Sequence, residues 1–225
     1  MKISFIQRMS IATGNSLLLE LQKKRMNSPT REKDEDAAFI FEPEEAFSYQ
    51  HESDLSFIHD KDEFNAYCLS SSIPLVKTDR GGGIIWHGPG QIILAPVVDL
   101  WRLKINLSDY TKYLEETCLR TLDNFGISAF RNHFTNGSQG VWTFDPKTNI
   151  KKKIAFLGYY DSRGIAIHGC AINISPKLYP FSLIDPCNLP NVLATSVREV
   201  LGSSPDIYAV AKCMVEKFIC ILSEI

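Results

Sequence analysis

The chain has 225 residues, 44% hydrophobic and 22% charged, a globular balance that excludes a disordered or fibrous protein and suits one sizeable domain. A formal net charge of −2 gives no electrostatic reason to expect nucleic acid, and no apolar run is long enough to span a bilayer. Six cysteines, at positions 68, 118, 170, 187, 213 and 220, form no CxxC or His-spaced metal pattern, which argues against zinc and for a reduced compartment.

The N-terminal MKISFIQRMSIATGNSLLL has neither a long apolar core nor a small-residue cleavage site, so it does not read as a secretory signal, nor as an Arg- and Ser-rich leader. Thr13 is the expected cap of a helix through SLLLELQKKRM, with Leu17, Leu18 and Leu21 on its apolar side. Residues 27–37 are polar and charged and read as a surface loop. AAFIF (37–41) is a short buried strand, and the acidic, irregular EPEEAFSYQHESD after it reads as a flap. IPLVKT (73–78) is a strand that runs into RGGGIIWHGPGQ, and QIILAPVV (91–98) is a strand leaving it. Pro96 implies an edge strand or a bulge there.

SDYTKYLEETCLRTLDNFG is the clearest helix, capped by Ser108, with Tyr110, Leu114, Cys118, Leu122 and Phe125 on one face and Gly126 at the C-terminal cap. Cys118 is expected in the core. GVWTF (140–144) and KIAFLGYY (153–160) flank a hairpin connection, and DSRG turns the chain into IAIHGCAINI (165–174). PFSLIDPCNLPN is a proline-rimmed loop. SPDIYAVAKCMVEKFICILSEI closes the chain as a helix, with Ser204 as cap and Cys213 and Cys220 on one buried face. The irregular order of strands and helices implies an α+β domain rather than a βαβ alternation.

Four places carry candidate chemistry. The glycines around His87 match neither GxGxxG nor GxxxxGK[ST], and no helix follows, so a phosphate cradle is a weak reading. They could instead let a flat or linear ligand lie against main chain, with Arg80 meeting an anionic group, or simply build a tight β-connection around a buried histidine. Lys153 ends a run of three lysines but is followed at once by IAFLGYY, which carries it toward the sheet interior, where a lysine exchanges protons easily. His168 and Gly169 lie mid-strand, where glycine marks a close approach. Cys187 lies between Pro186 and Pro190 in a loop, where a thiol can be reactive or incidental.

RGGGIIWHGPGQ, then KIAFLG, HGCAIN and DPC, in this order, resemble the octanoyltransferase family of lipoate biosynthesis. The resemblance is loose from residue 1 to about 70 and close from 73 to 188. It implies a single domain over residues 1–225 with the fold of the biotin/lipoate protein ligase catalytic domain, a mixed sheet with packed helices. It also implies that Cys187 is a nucleophile acylated to a thioester and that Lys153 activates it and shuttles protons. Arg80, Gly81, Gly82, Gly83, Ile84, Ile85, Trp86 and His87 would bind substrate, with Phe156, Leu157 and Gly158, and with Gly169, Cys170 and Ala171; His168 would line the same pocket as His87. On this reading the glycines leave room for an acyl chain.

The implied reaction carries octanoyl from octanoyl-acyl carrier protein to a lysine of a lipoyl domain, in the E2 subunit of a 2-oxoacid dehydrogenase or the glycine cleavage H protein. No cofactor, metal, nucleic acid or membrane is expected, and a cytoplasmic monomer is. Alternatives on the same residues are an amidotransferase moving octanoyl between lipoyl-type proteins, an ATP-dependent lipoate-protein ligase, and a binding module without turnover. Three departures from the family pattern stand out. Asn188 follows the cysteine where glycine is usual. The 42–55 segment keeps Glu42 and Pro43 but lacks an arginine. Cys170 replaces an apolar residue, where oxidation could link it to Cys187.

Overall fold

β6 (Gln91–Asp99) is buried at all nine positions, and that explains the unbroken apolar run QIILAPVV. A strand covered on both faces has no reason to alternate. Ile92, Leu94 and Val98 enter one core while Ile93, Ala95 and Val97 enter another on the opposite face. The computed structural model describes residues 1–31, 33–132 and 139–225, and among these β6 is the third strand of a seven-stranded mixed sheet.

The sheet runs in the order β1 (Lys2–Met9), β2 (Ala37–Pro43), β6, β10 (Ile165–Asn173), β9 (Lys151–Ser162), β8 (Gly140–Phe144) and β7 (Phe130–Arg131). β1 and β2 pair in parallel and the remaining neighbours are antiparallel. α4 (Leu107–Asn124) and α6 (Ile207–Ser223) cover one face, with Tyr110, Leu114, Cys118, Met214 and Phe218 in that core. α1 (Ile11–Met26) covers the other. Beside it lies a small sheet in the order β4 (Leu75–Lys77), β3 (Ala46–Tyr49), β5 (Ile85–His87), together with α2 (Lys61–Ser70). No helix among the described residues is long and apolar enough to cross a membrane.

Several expectations are corrected. β1, α2 and two short helices, α3 (Leu100–Leu103) and α5 (Val197–Leu201), carried too little periodicity to be seen in the sequence. α1 is capped by Ser10, whose Oγ accepts the Thr13 N–H, so the expected cap lies one turn inside the helix. Its buried stripe is Ile11, Gly14, Leu18, Gln22 and Arg25, leaving Leu17 and Leu21 half-buried. α4 is capped by Asn106 rather than Ser108, through a reciprocal bond with Asp109, and Gly126 takes the left-handed conformation past its end as expected. α6 is capped by Asp206 rather than Ser204; Cys213 is buried but Cys220 is exposed. Each cap was misplaced because neighbouring polar residues are interchangeable until the chain direction is known.

The 27–37 loop (Glu32 lies outside the described residues) is less superficial than it reads. Arg31 donates twice to Asp99 at 2.7 and 2.9 Å, and Asp36 is buried against Arg25 and Arg102. The acidic stretch after β2 is not a flap: it contains β3 and a turn of 3₁₀ helix over Glu52–Phe57. Pro96 lies on an interior strand, not an edge. It interrupts the ladder instead: β6 and β10 pair at Val98 with Ala166 and again at Leu94 with Cys170, and between them residues 167–169 pair with β9 but not with β6. His168 takes a left-handed conformation (φ 61°) in that gap, and the Tyr110 hydroxyl donates to its carbonyl.

Candidate active site

Cys187 is carried by a loop that main-chain bonds tie to the segment at Phe57–His59, to Ile84 beside β5, and to itself. Asp185 N–H donates to Phe57 O, His59 N–H to Leu183 O, Cys187 N–H to Ile84 O and Leu189 N–H to Pro186 O. The cysteine is half-buried, and its backbone is left-handed at φ 61°, ψ 26°. Lys153, near the start of β9, is 0% exposed. Its main chain bonds to Leu193 and Thr195, which closes the segment after the loop onto the sheet. Its Nζ lies 3.7 Å from Cys187 Sγ, and the faces of Trp142 and Phe156 lie 5.5 and 5.1 Å away. A lysine in this place has lost all its water. The thiol is its hydrogen-bond partner among the described residues, so a proton can pass between sulfur and nitrogen with both charges cancelled in the pair.

The sulfur lines a cleft between the two sheets and α1. The turn after β4 contributes Arg80, and β5 contributes Ile85 and His87. β9 contributes Phe156, Leu157 and Gly158, and β10 contributes His168, Gly169, Cys170 and Ala171. Gly81 and Gly82 instead line a second cleft, beside Gln139 and Tyr159, that meets the first at Cys187. Gly83, Ile84 and Trp86 line neither: Ile84 and Trp86 are buried in the core of the small sheet. Sequence reasoning missed the far wall, formed by Ile11, Asn15 and Leu18 of α1 and by Phe41 and Ile93. Their apolar spacing reads as ordinary core, so no local signal marks them.

The glycine run is explained by the protein's own packing. A Cβ at Gly83 (φ 70°) would fall 2.2 Å from Asn188 Oδ1, and one at Gly158 would fall 2.5 Å from Arg80 Cδ. At Gly83 and Gly158 what comes close to the backbone is the protein itself. Arg80 is likewise committed inward. Nη1 donates to Gly81 O, and Nη2 donates to Ser48 O, Ser48 Oγ and Gly83 O, so the guanidinium organises the turn. Its Nε has no hydrogen-bond partner among the described residues. Burial pulls Arg80 below its ordinary pKa.

Both histidines are neutral. Burial, reinforced by the Arg80 charge, lowers His87 and His168 to about 3. Gln91 Oε1 accepts the Gly88 N–H, and Gln91 Nε2 donates to Asn173 Oδ1, so Oε1 is the atom that faces His87 Nδ1 at 3.3 Å. The His87 proton is therefore on Nδ1 and the lone pair on Nε2. Cys170 does not turn toward Cys187. Its thiol is the hydrogen-bond partner of Cys118 on α4.

His59 adds a pH dependence to the loop. Its Nδ1 faces Ser182 O and its Nε2 faces Asp185 Oδ1, both at 2.9 Å. Both partners only accept, so the pair of bonds needs an imidazolium. The Asp185 bond raises the His59 pKa above its ordinary 6.5. A raised folded-state pKa means that the stabilisation is complete below 6.5 and is lost as pH rises through the folded value. Hydrogen exchange over residues 182–189, corrected for intrinsic rates, is expected to lose protection across that window. His59→Ala should abolish the step; an identical profile in the variant would remove His59 from the loop's control.

A mixed sheet with α4 and α6 on one face, and α1 and a small second sheet on the other, is the fold of the lipoate- and biotin-ligase catalytic domain. Residues 19–219 match the model of the lipoyl protein ligase A/B catalytic domain, and the chain belongs to that family. Among similar curated proteins, an octanoyltransferase of Desulfotalea psychrophila is 39% identical over 134 residues, covering 60% of this chain and 57% of that protein. An octanoyltransferase of Cellvibrio japonicus is 35% identical over 146 residues, covering 65% and 64%. The chain thus spans about three-fifths of the length of these relatives. Among solved structures, a lipoate-protein ligase A bound with ATP superposes with a TM-score of 0.71 at 14% identity, over 99% of this chain and 86% of that one. Biotin protein ligase from Aquifex aeolicus, in complex with biotin and ATP, gives 0.58 at 13% identity, over 99% and 71%. At such identities these two speak for the fold.

Proposed function

We propose that the protein is an octanoyltransferase that moves octanoyl from acyl carrier protein to a lysine of a lipoyl domain through a thioester on Cys187. The observation that carries the reading is the 3.7 Å approach of Lys153 Nζ to Cys187 Sγ at the mouth of an apolar cleft. The relatives named octanoyltransferase support it.

The chemistry balances without a nucleotide. Cys187, having passed its proton to Lys153, attacks the thioester carbonyl. The carbon–sulfur bond to the carrier breaks, and the departing thiolate takes the proton from Lys153. One thioester replaces another, so the step is close to thermoneutral. The oxyanion needs N–H donors; the Gly169–Cys170 main chain, which lines the cleft beside the gap in the ladder, is the candidate. The acceptor amine then attacks the Cys187 thioester. A carbon–nitrogen bond forms, the Cys187 carbon–sulfur bond breaks, and Lys153 takes the ammonium proton. An amide is more stable than a thioester, so the second step runs downhill. The acceptors would be lipoyl domains of E2 subunits or the H protein, and the setting the cytoplasm, with the enzyme a monomer.

Intact mass after mixing with octanoyl-carrier protein tests the reading. An increase of one octanoyl group, mapped to Cys187 and discharged by a lipoyl domain, is the expected result. Modification of the lipoyl domain only with free octanoate and ATP would convert the reading to a ligase. Discharge from an octanoylated lipoyl-type donor, but not from carrier protein, would make it an amidotransferase. A lipoyl domain bound without any transfer would leave a binding module.

A further inference from the structure

Asn188 does more than tolerate its place. It follows Cys187 in a second left-handed residue, φ 57° after φ 61°, a pairing that non-glycine residues hold only when the surroundings impose it. The imposing contacts are visible. Asn188 Oδ1 accepts the Ile84 N–H at 3.2 Å, and Asn188 Nδ2 donates to Asp54 Oδ1 at 2.8 Å. Asp54 Oδ2 in turn accepts the N–H groups of Gln50 and His51, at 3.0 and 2.9 Å. Ile84 completes the circuit by accepting the Cys187 N–H at 3.0 Å. The amide thus sits in the space left by the missing Cβ of Gly83 and joins three segments: the glycine turn, the 3₁₀ turn at 52–57 and the cysteine loop.

Asp54 is 4% exposed and is in no salt bridge among the described residues. Burial opposes its charge, but the His51 N–H, the Asn188 amide and the Gln50 N–H outweigh that and hold its pKa below the ordinary value. It is therefore an acceptor at neutral pH, and every donor it meets is placed. The whole unit ends one bond from the backbone of Cys187.

We propose that Asn188 and Asp54 form a positioning pair that holds the Cys187 backbone left-handed and so keeps Sγ aimed at Lys153 Nζ. The inference rests on the reading of Cys187 as the acyl carrier, and it assigns a role to the residue that stands where glycine is usual. The hydrogen bonds, not only the left-handed angle, hold the sulfur in place.

Exchanging the two side chains tests it. In Asp54→Asn, two amide NH₂ groups face each other, or a neighbouring N–H is abandoned. In Asn188→Asp, two carboxylates face each other. In the double variant the amide at 54 accepts the Gln50 and His51 N–H groups and donates to the carboxylate at 188, which still accepts from Ile84, so every bond re-forms and only the one between 54 and 188 reverses its polarity. Octanoylation of Cys187 by octanoyl-carrier protein, followed by quenched intact mass, is expected to slow about tenfold in each single variant, the cost of one unsatisfied buried group. The double variant is expected within about threefold of the parent, a coupling read as in any double-mutant cycle.

Alkylation by iodoacetamide, normalised to the folded fraction from circular dichroism, is the second readout. Asn188→Gly keeps the left-handed residue and loses the bonds, and should slow both reactions like the single variants. Wild-type rates in the single variants or in Asn188→Gly would overturn the proposal, as would a double variant as slow as the two singles combined. If the parent takes no octanoyl while alkylation follows the cycle, the positioning pair stands and the acyl-donor assignment falls.

Discussion

Cys187→Ser is expected to fold normally, to form no octanoyl adduct and to lose transfer by on the order of a thousandfold or more, the scale seen when a covalent nucleophile is removed. Serine has nearly the shape of cysteine, and the loop is held by main-chain bonds and by Asn188 rather than by the sulfur. What changes is the atom. A hydroxyl facing Lys153 at the same place gives up its proton far less readily than a thiol, and the alkoxide it would form is a poorer leaving group in the second half-reaction. Intact mass gives the adduct, peptide mapping its position, and a lipoyl-domain gel shift the transfer. A serine variant that still passes octanoyl at the parental rate would remove the covalent intermediate from the mechanism. An adduct mapped to another cysteine would move it.

Lys153→Met should separate chemistry from folding. The methionine stem fills much of the same volume between Trp142 and Phe156 and leaves no buried polar head group, so the melting temperature should hold or rise. Both half-reactions should slow by roughly a hundredfold or more, the usual share of a positioned acid–base group. In the first, Cys187 loses the base that takes its proton and the acid that protonates the departing thiolate. In the second, the incoming ammonium has no acceptor. Single-turnover octanoylation and discharge, measured separately against pH, check this. Loss of the fold would mean that Lys153 is structural, and unchanged rates in a folded variant would remove it from the reaction.

His59 and the Asn188–Asp54 pair hold the same loop from either side of Cys187. His59 secures the loop before the cysteine through Ser182 and Asp185, and Asn188 secures the residue after it. Lys153 is delivered independently, by the sheet. The two halves of the proposed catalytic pair therefore depend on different supports, and variants of the loop should disturb the sulfur without moving the amine.

What could be read in the sequence was local. The double-sided apolar run of β6, the face of α4 and the hairpin between β8 and β9 follow from the period of the side chains. Four ordered motifs sufficed to place the chain in its family. Pro96 announced an irregularity, and only the fold showed that the neighbouring strand carries it, at His168. The glycines announced a close approach, and at Gly83 the fold showed that what approaches is Asn188.

The chain by itself therefore determined β6, α4, the β8–β9 hairpin and the family, and marked Cys187 and Lys153 as candidates, because those depend on residue type and short-range order. Tertiary structure decided the caps, the far wall of the cleft, the inward commitment of Arg80 and the tautomer of His87. It also decided the 3.7 Å between two residues 34 positions apart. Burial, hydrogen-bond partnership and distance are properties of pairs of groups, and those pairs exist only once segments remote in sequence have packed together.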